Sequence, residues 1–238
     1  MLPAVAWLEW NGVIYWSRYQ RRRFEPRSAV SLLVEGVWEN FPGSAHFMLR
    51  SRIFTTSEPT ELCRGVVIVC AKRMSRVAKI PAEVEERMLS GTGAVALSIP
   101  RPDSPVHDTS HVVGASLVKA ERNRSIECWL VGADGRLLCW ALNTSGRNRT
   151  RHAEMNLLRS WWLRESRPLP RGSRVVTTLE PCPMCAGALW ECAESHDSFE
   201  VLYQHADAGT LVRRSILRNS ALLRQCSISE QVGFSYES

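Results

Sequence analysis

An α/β fold written twice in one chain, each copy a sheet covered by helices, is what this 238-residue sequence predicts. Three observations lead there. The second half reads hairpin, helix, strand, helix, strand, helix, an alternation that calls for helices on both faces of a sheet. Residues 51–65 (SRIFTTSEPTELCRG) and 173–187 (SRVVTTLEPCPMCAG) agree without a gap at eight of fifteen positions, an offset of 122. The register also persists outside that block. Trp7-Leu8 falls on Trp129-Leu130 and Cys70-Ala71 on Cys192-Ala193 at the same offset, Asn11-Gly12 on Asp134-Gly135 at 123, and Trp38 on Trp162 at 124. Drift of one or two residues is what small loop insertions produce.

Each half opens with apolar runs around an Asn-Gly or Asp-Gly turn, the strongest short-range mark of a β-hairpin, at residues 5–16 and 126–140. Apolar residues at three-to-four spacing then predict helices over 28–39 and 151–164. Strands follow at 47–55 and 174–179. Residues 183–194 begin with proline at the first helical position and are rich in alanine, so they read as a helix. Their counterpart, 65–70, is rich in Val and Ile and taken alone would be a strand; the repeat makes it a helix. A strand near 198–204 and a Leu-containing polar helix over 211–224 complete the second half. Five positions in 98–108 are proline or aspartate turn formers marking a linker, after which 112–121 reads as an extra helix.

The chain carries 30 basic and 24 acidic residues, a net charge of +6, which leans towards a polyanionic partner without demanding one. Arginines gather at Arg21, Arg22, Arg23 and Arg27 and again at Arg147, Arg149 and Arg151; both clusters read as solvated loop charge, the second lying at the mouth of any site built on its successor His152. The apolar first ten residues lack a basic n-region, and the run 66–71 is too short to span a bilayer, so no secretory signal and no membrane partner are expected. Eight cysteines without a secretory signal read as metal ligands and buried thiols in a reducing compartment, the cytoplasm.

Two short motifs carry the chemistry: His152-Ala153-Glu154 and Pro181-Cys182-Pro183-Met184-Cys185. Zinc takes imidazole and thiolate ligands tetrahedrally, and a catalytic site keeps three of them with the fourth position open. His152, Cys182 and Cys185 are three, and Glu154 is a carboxylate beside them. Bound Zn2+ lowers the pKa of water from ~15.7 to roughly 7, and a nearby Glu can shuttle the proton. Both motifs start helices, whose free N–H groups and dipoles favour thiolate. Either motif alone is weak. A CxxC is also a redox pair or half of a closed zinc site, for which Cys192, His196 and His205 are possible fourth ligands.

Jointly, the H-x-E and P-C-x-x-C motifs are the signature of zinc nucleobase deaminases. With the run 178–188 (TLEPCPMCAGA) and a hairpin ending in Asn143, the second half resembles the cytidine-deaminase superfamily, closest to its bacterial tRNA adenosine deaminase and guanine deaminase branches. The resemblance spans about 126–209. It implies a three-layer α/β/α fold, one Zn2+ per chain held by His152, Cys182 and Cys185 in the C-terminal domain, Glu154 as proton shuttle, and Asn143 and Ala153 at the substrate base. Beyond Gln204 the sequence departs from the family, in the region that shapes substrate choice there.

The first half keeps the wording of the repeat and loses the ligands. Ser28 stands near the place of His152, Val30 near that of Glu154, and Thr60 replaces Cys182, leaving Cys63 opposite Cys185. One thiol cannot hold a catalytic zinc. The expected organisation is therefore a metal-free, deaminase-like domain over 1–97, a linker over 98–108 and a catalytic domain over 109–238. These tandem α/β/α copies pack as an intramolecular pseudo-dimer, with room for a homo-oligomer. The expected activity is zinc-dependent hydrolytic deamination of a nucleobase, first in RNA of the tRNA adenosine-to-inosine kind. The alternative substrate is a free purine base, nucleoside or nucleotide; a non-enzymatic zinc-containing RNA-binding protein is the second alternative.

Overall fold

The Asn11-Gly12 turn closes its hairpin with both residues at positive φ, 49° and 74°, the backbone that Asn-Gly favours. It joins β1 (Ala4–Trp10) to β2 (Val13–Tyr19), antiparallel from Trp10–Val13 to Ala4–Tyr19. The structure is a computed structural model and describes residues 3–41, 45–98, 126–146 and 148–226. The linker and extra helix expected over 98–108 and 112–121 lie outside these residues, except Ser98, as does Arg147.

Helix α1 (Ala29–Asn40), strand β3 (Arg52–Thr55), helix α2 (Glu61–Cys70), strand β4 (Arg73–Arg76), helix α3 (Ala82–Ser90) and strand β5 (Ala94–Ala96) follow in the first half. The second half runs β6 (Glu127–Val131), β7 (Leu137–Leu142), α4 (Ala153–Glu165), β8 (Arg174–Leu179), α5 (Pro183–Cys192), β9 (Glu200–His205) and β10 (Leu223–Gln225). Each half folds into a five-stranded mixed sheet, ordered β4-β3-β1-β2-β5 in the first and β10-β9-β8-β6-β7 in the second. Four strands correspond between them. The fifth is added at opposite edges: β5 lies parallel to β2, whereas β10 lies parallel to β9.

Helix α2 forms although Val66, Val67, Ile68 and Val69 favour a strand, because its buried face packs against α5. That crossing is the most extensive helix contact between the halves, and two glycines permit it. A Cβ on Gly65 would run into the backbone of Pro183 and Met184, and one on Gly187 into that of Glu61 and Leu62. Gly65 and Gly187 are repeat equivalents, as are the residues they touch, so the halves meet about a pseudo-two-fold axis. One continuous apolar core links both sheets, from Leu8 and Ile53 through Leu62 and Met184 to Leu130 and Val201.

Two expected elements take other forms. In the stretch 47–55 only Arg52–Thr55 is a strand; Ala45–Arg50 winds as a 3-10 helix that buries Met48 and stacks Phe47 on Trp10 at 5.3 Å. The expected helix over 211–224 is instead two short 3-10 turns, Thr210–Arg214 and Leu217–Asn219, followed by β10. Its buried anchors Val212 and Leu217 are five apart, a spacing that cannot line one face of an α-helix.

Candidate active site

His152 is the N-cap residue of α4 and Cys182 the N-cap residue of α5. Extended φ and ψ at both positions turn the chain into its helix, and neither side chain caps the backbone it precedes. The side chains meet instead. Cys182 Sγ lies 3.4 Å from His152 Nδ1, Cys185 Sγ 3.5 Å from the same nitrogen, and the two sulfurs 3.5 Å apart. Bond lengths of about 2.3 Å to sulfur and about 2.0 Å to nitrogen put tetrahedral ligands roughly 3.5–3.8 Å apart, so the triangle and its donor set fit zinc. Among the described residues this metal-competent group contains these three side chains and does not include Cys192, His196 or His205. The His196 ring is engaged elsewhere, stacked on Trp190 at 3.8 Å.

Glu154 sits in the first turn of α4, buried, with Oε2 3.3 Å from Cys185 Sγ. Burial raises its pKa above the usual carboxylate range and the nearby Cys182 charge adds to this, while His152 opposes them. The two thiols split their charge unequally. The hydrogen bond shared with Cys185 and the neighbouring His152 hold Cys182 well below the ordinary thiol range, whereas burial and the Cys182 charge push Cys185 up.

A cavity of about 630 Å³ opens beside this group. His152, Ala153, Glu154, Cys182 and Asn143 all line it. Asn143, at the end of β7, is 3 % exposed, and its Oδ1 has no hydrogen-bond donor among the described residues. Glu180, just ahead of the Pro-Cys motif, lies buried in the wall, accepts from the Asp207 amide at 3.3 Å and pairs with Arg218 at 3.4 Å. Its repeat equivalent Glu58 is 70 % exposed on the surface, so burial at this position belongs to the second half alone.

Part of the wall comes from the first half: Trp38, His46 and Val69. The repeat marks Trp38 only as a partner of Trp162, and nothing in the sequence brings it to His152. Its indole Nε1 is buried without an acceptor among the described residues, its edge meets the His46 ring at 5.6 Å, and the Arg149 guanidinium lies over its face at 5.6 Å. The two arginine clusters therefore differ from free loop charge. Arg149 stands at the cavity, Arg151 pairs with Glu39 at 3.0 Å, Arg21 pairs with Glu191 of α5, and Arg27 is buried.

All eight cysteines are free thiols. Burial pushes Cys70 up to about 12. No helix of the described residues is long and apolar enough to cross a membrane.

Residues 117–228 match the model of the Bd3614-like deaminase family. No curated protein sequence matches the chain. Among solved structures, one from studies of A-to-I editing by tRNA:A34 deaminases at the wobble position of transfer RNA is 24 % identical, with a TM-score of 0.33 over 44 % of this chain and 79 % of that one. A dCMP deaminase from the cyanophage S-TIM5, in complex with dCMP and dUMP, is 17 % identical, with a TM-score of 0.34 over 44 % of this chain and 83 % of that one.

Proposed function

We propose that this chain, whose residues 117–228 match the Bd3614-like deaminase model, is a zinc-dependent hydrolytic deaminase of the cytidine-deaminase superfamily acting on a base in RNA, of the tRNA adenosine-to-inosine kind. The reading is carried by one observation, the triangle of His152, Cys182 and Cys185 with Glu154 against it at the wall of a single cavity. Zinc held by those three ligands supplies Lewis acidity that brings the pKa of water to about 7.

The chain's own groups do the rest. Glu154, its carboxyl pKa raised by burial, carries a proton to the ring nitrogen of the base and a second to the departing amine. The overall reaction consumes one water and releases one ammonia, leaving a carbonyl oxygen in place of the amine. Asn143, which lines the same cavity, accepts a hydrogen bond from the base through its unpaired Oδ1. Burying that oxygen unpaired costs about 1–3 kcal/mol, which a substrate bearing a donor relieves. Ala153 stands at the base beside Asn143.

RNA is favoured by Arg149 at the cavity wall, and by Arg213 and Arg214 in the same 3-10 turn as the lining residue Leu211. The eight free thiols suit the reducing cytoplasm. Ammonia release by the zinc-loaded protein from free bases, nucleosides, nucleotides and bulk RNA, repeated at 50 and 200 mM salt, tests the assignment. RNA turnover that falls steeply with salt is the expected result, because phosphate contacts release counterions. Turnover confined to free bases or nucleosides and indifferent to salt replaces RNA with the small-molecule alternative.

A further inference from the structure

Glu35, Trp38 and Glu39 of α1 are spaced i, i+3 and i+4, so they share one face of a helix that belongs to the first half. That face is turned to the site of the other half. Glu35 pairs with Arg159 of α4 at 3.1 Å, with both side chains no more than 9 % exposed. Glu39 Oε2 accepts from Asn148 Nδ2 at 3.0 Å and pairs with Arg151 at 3.0 Å. Asn148 Nδ2 also donates to the Glu35 carbonyl, and Arg159 donates to the Thr150 carbonyl, each at 3.3 Å. Asn148 Oδ1 in turn accepts from the Thr150 amide at 3.0 Å and its hydroxyl at 2.8 Å. Residues 148, 150 and 151 are thus tied to α1, directly or through Arg159. Arg149, between them, is exposed and laid over Trp38 at the cavity, and the next residue after the tied segment is His152.

We propose that Glu35 and Glu39 are positioning residues for the active site, fixing the 148–151 loop so that Arg149 is held at the cavity mouth where substrate enters. The role assigned to Arg149 rests on the deaminase reading; the clamp itself does not. Loop ordering is an entropic cost met before binding, so it acts on substrate affinity rather than on the chemical step. Glu39 is the better handle, being 39 % exposed and tied by two contacts, so its removal leaves the buried Glu35–Arg159 pair and the core intact.

Two measurements on the zinc-loaded full chain test this, comparing wild type with Glu39→Ala and Glu39→Gln, which keeps an acceptor. Hydrogen exchange of the amides of Thr150 and Arg151 reads the clamp without reference to activity. Glu39→Ala is expected to speed exchange there at least threefold and Glu39→Gln to restore most of the protection; a smaller change in Glu39→Ala overturns the proposal. On the best substrate of the panel, Glu39→Ala is expected to raise KM about tenfold with kcat within twofold. A KM unchanged within twofold, or a loss confined to kcat, also overturns it. A wild-type protein that deaminates nothing in the panel sinks the assigned activity, while the exchange measurement still decides the clamp.

Discussion

The two halves place equivalent residues at the starts of equivalent helices and use them for opposite ends. In the first half Ser28 and Thr60 are N-caps whose hydroxyls accept from the Ser31 and Cys63 amides, and the Ser31 hydroxyl accepts in turn from the Ser28 amide. In the second half the same N-cap positions hold His152 and Cys182, and neither caps anything. Where one half has a triangle of metal-competent ligands, the other has Thr60 donating to Cys63 at 3.4 Å and Cys63 to Ser28 at 3.3 Å, beside a buried Val30 in place of Glu154. A side-chain cap is worth typically ~1 kcal/mol. The first half collects that stabilisation at both helices, and the second forgoes it to aim donors at one point. Pseudo-symmetry is broken at the seam as well: counted at the offset of Trp38 and Trp162, Glu35 and Arg159 are equivalent, yet they form a salt bridge. Either half paired with its own copy would set like charges together there, so the charge difference favours the arrangement within one chain.

The largest effect expected from this contrast is at Glu154. Giving the second half the carboxyl-free position of the first, with Glu154→Ala, should retain zinc and lower kcat by about 10²–10⁴-fold, the usual contribution of a general acid–base group. Metal analysis beside ammonia release checks it. Activity near wild type would remove Glu154 from the mechanism, and loss of zinc would make it a structural support.

The converse exchange is more searching. Wild type is expected to hold one zinc per chain, because among the described residues only one group of three ligands converges. Ser28→His with Thr60→Cys rebuilds the triangle around Cys63 and should raise the content to two per chain by elemental analysis. A value staying at one, in protein that still folds, would mean that the first half has diverged in backbone as well as in ligands.

The convergence of His152, Glu154, Cys182 and Cys185 was legible from sequence because both motifs are local: a residue at a helix start has its direction set by the helix that follows. The repeat likewise recovered α2 against its own β-branched composition. What escaped depends on contacts distant in sequence. Trp38 reaches the cavity only because Gly65 and Gly187 let α2 and α5 cross closely, and the pairing of Glu39 with Arg151 spans the two halves. The stretch 45–50 escaped for a related reason, since stacking of Phe47 on Trp10 outweighs its strand-like composition. The short turns after Gly209 follow isolated anchors rather than a period.

The smallest effect tests whether the second half has in fact given up stability for its ligands. In chelator-treated protein, Cys182→Thr installs the residue that Thr60 represents in the first half. With the helix start already in extended cap geometry, φ −65° and ψ 166°, a hydroxyl there can accept from the Cys185 amide as Thr60 accepts from Cys63. We expect metal-free Cys182→Thr to gain about 0.5–1 kcal/mol in chemical denaturation and Thr60→Ala to lose about 1 kcal/mol, while Cys182→Thr forfeits zinc binding. Opposite signs at equivalent positions are the point of the experiment: a destabilised metal-free Cys182→Thr would show that its thiol is packed for stability, and that ligands and caps do not compete at this helix start.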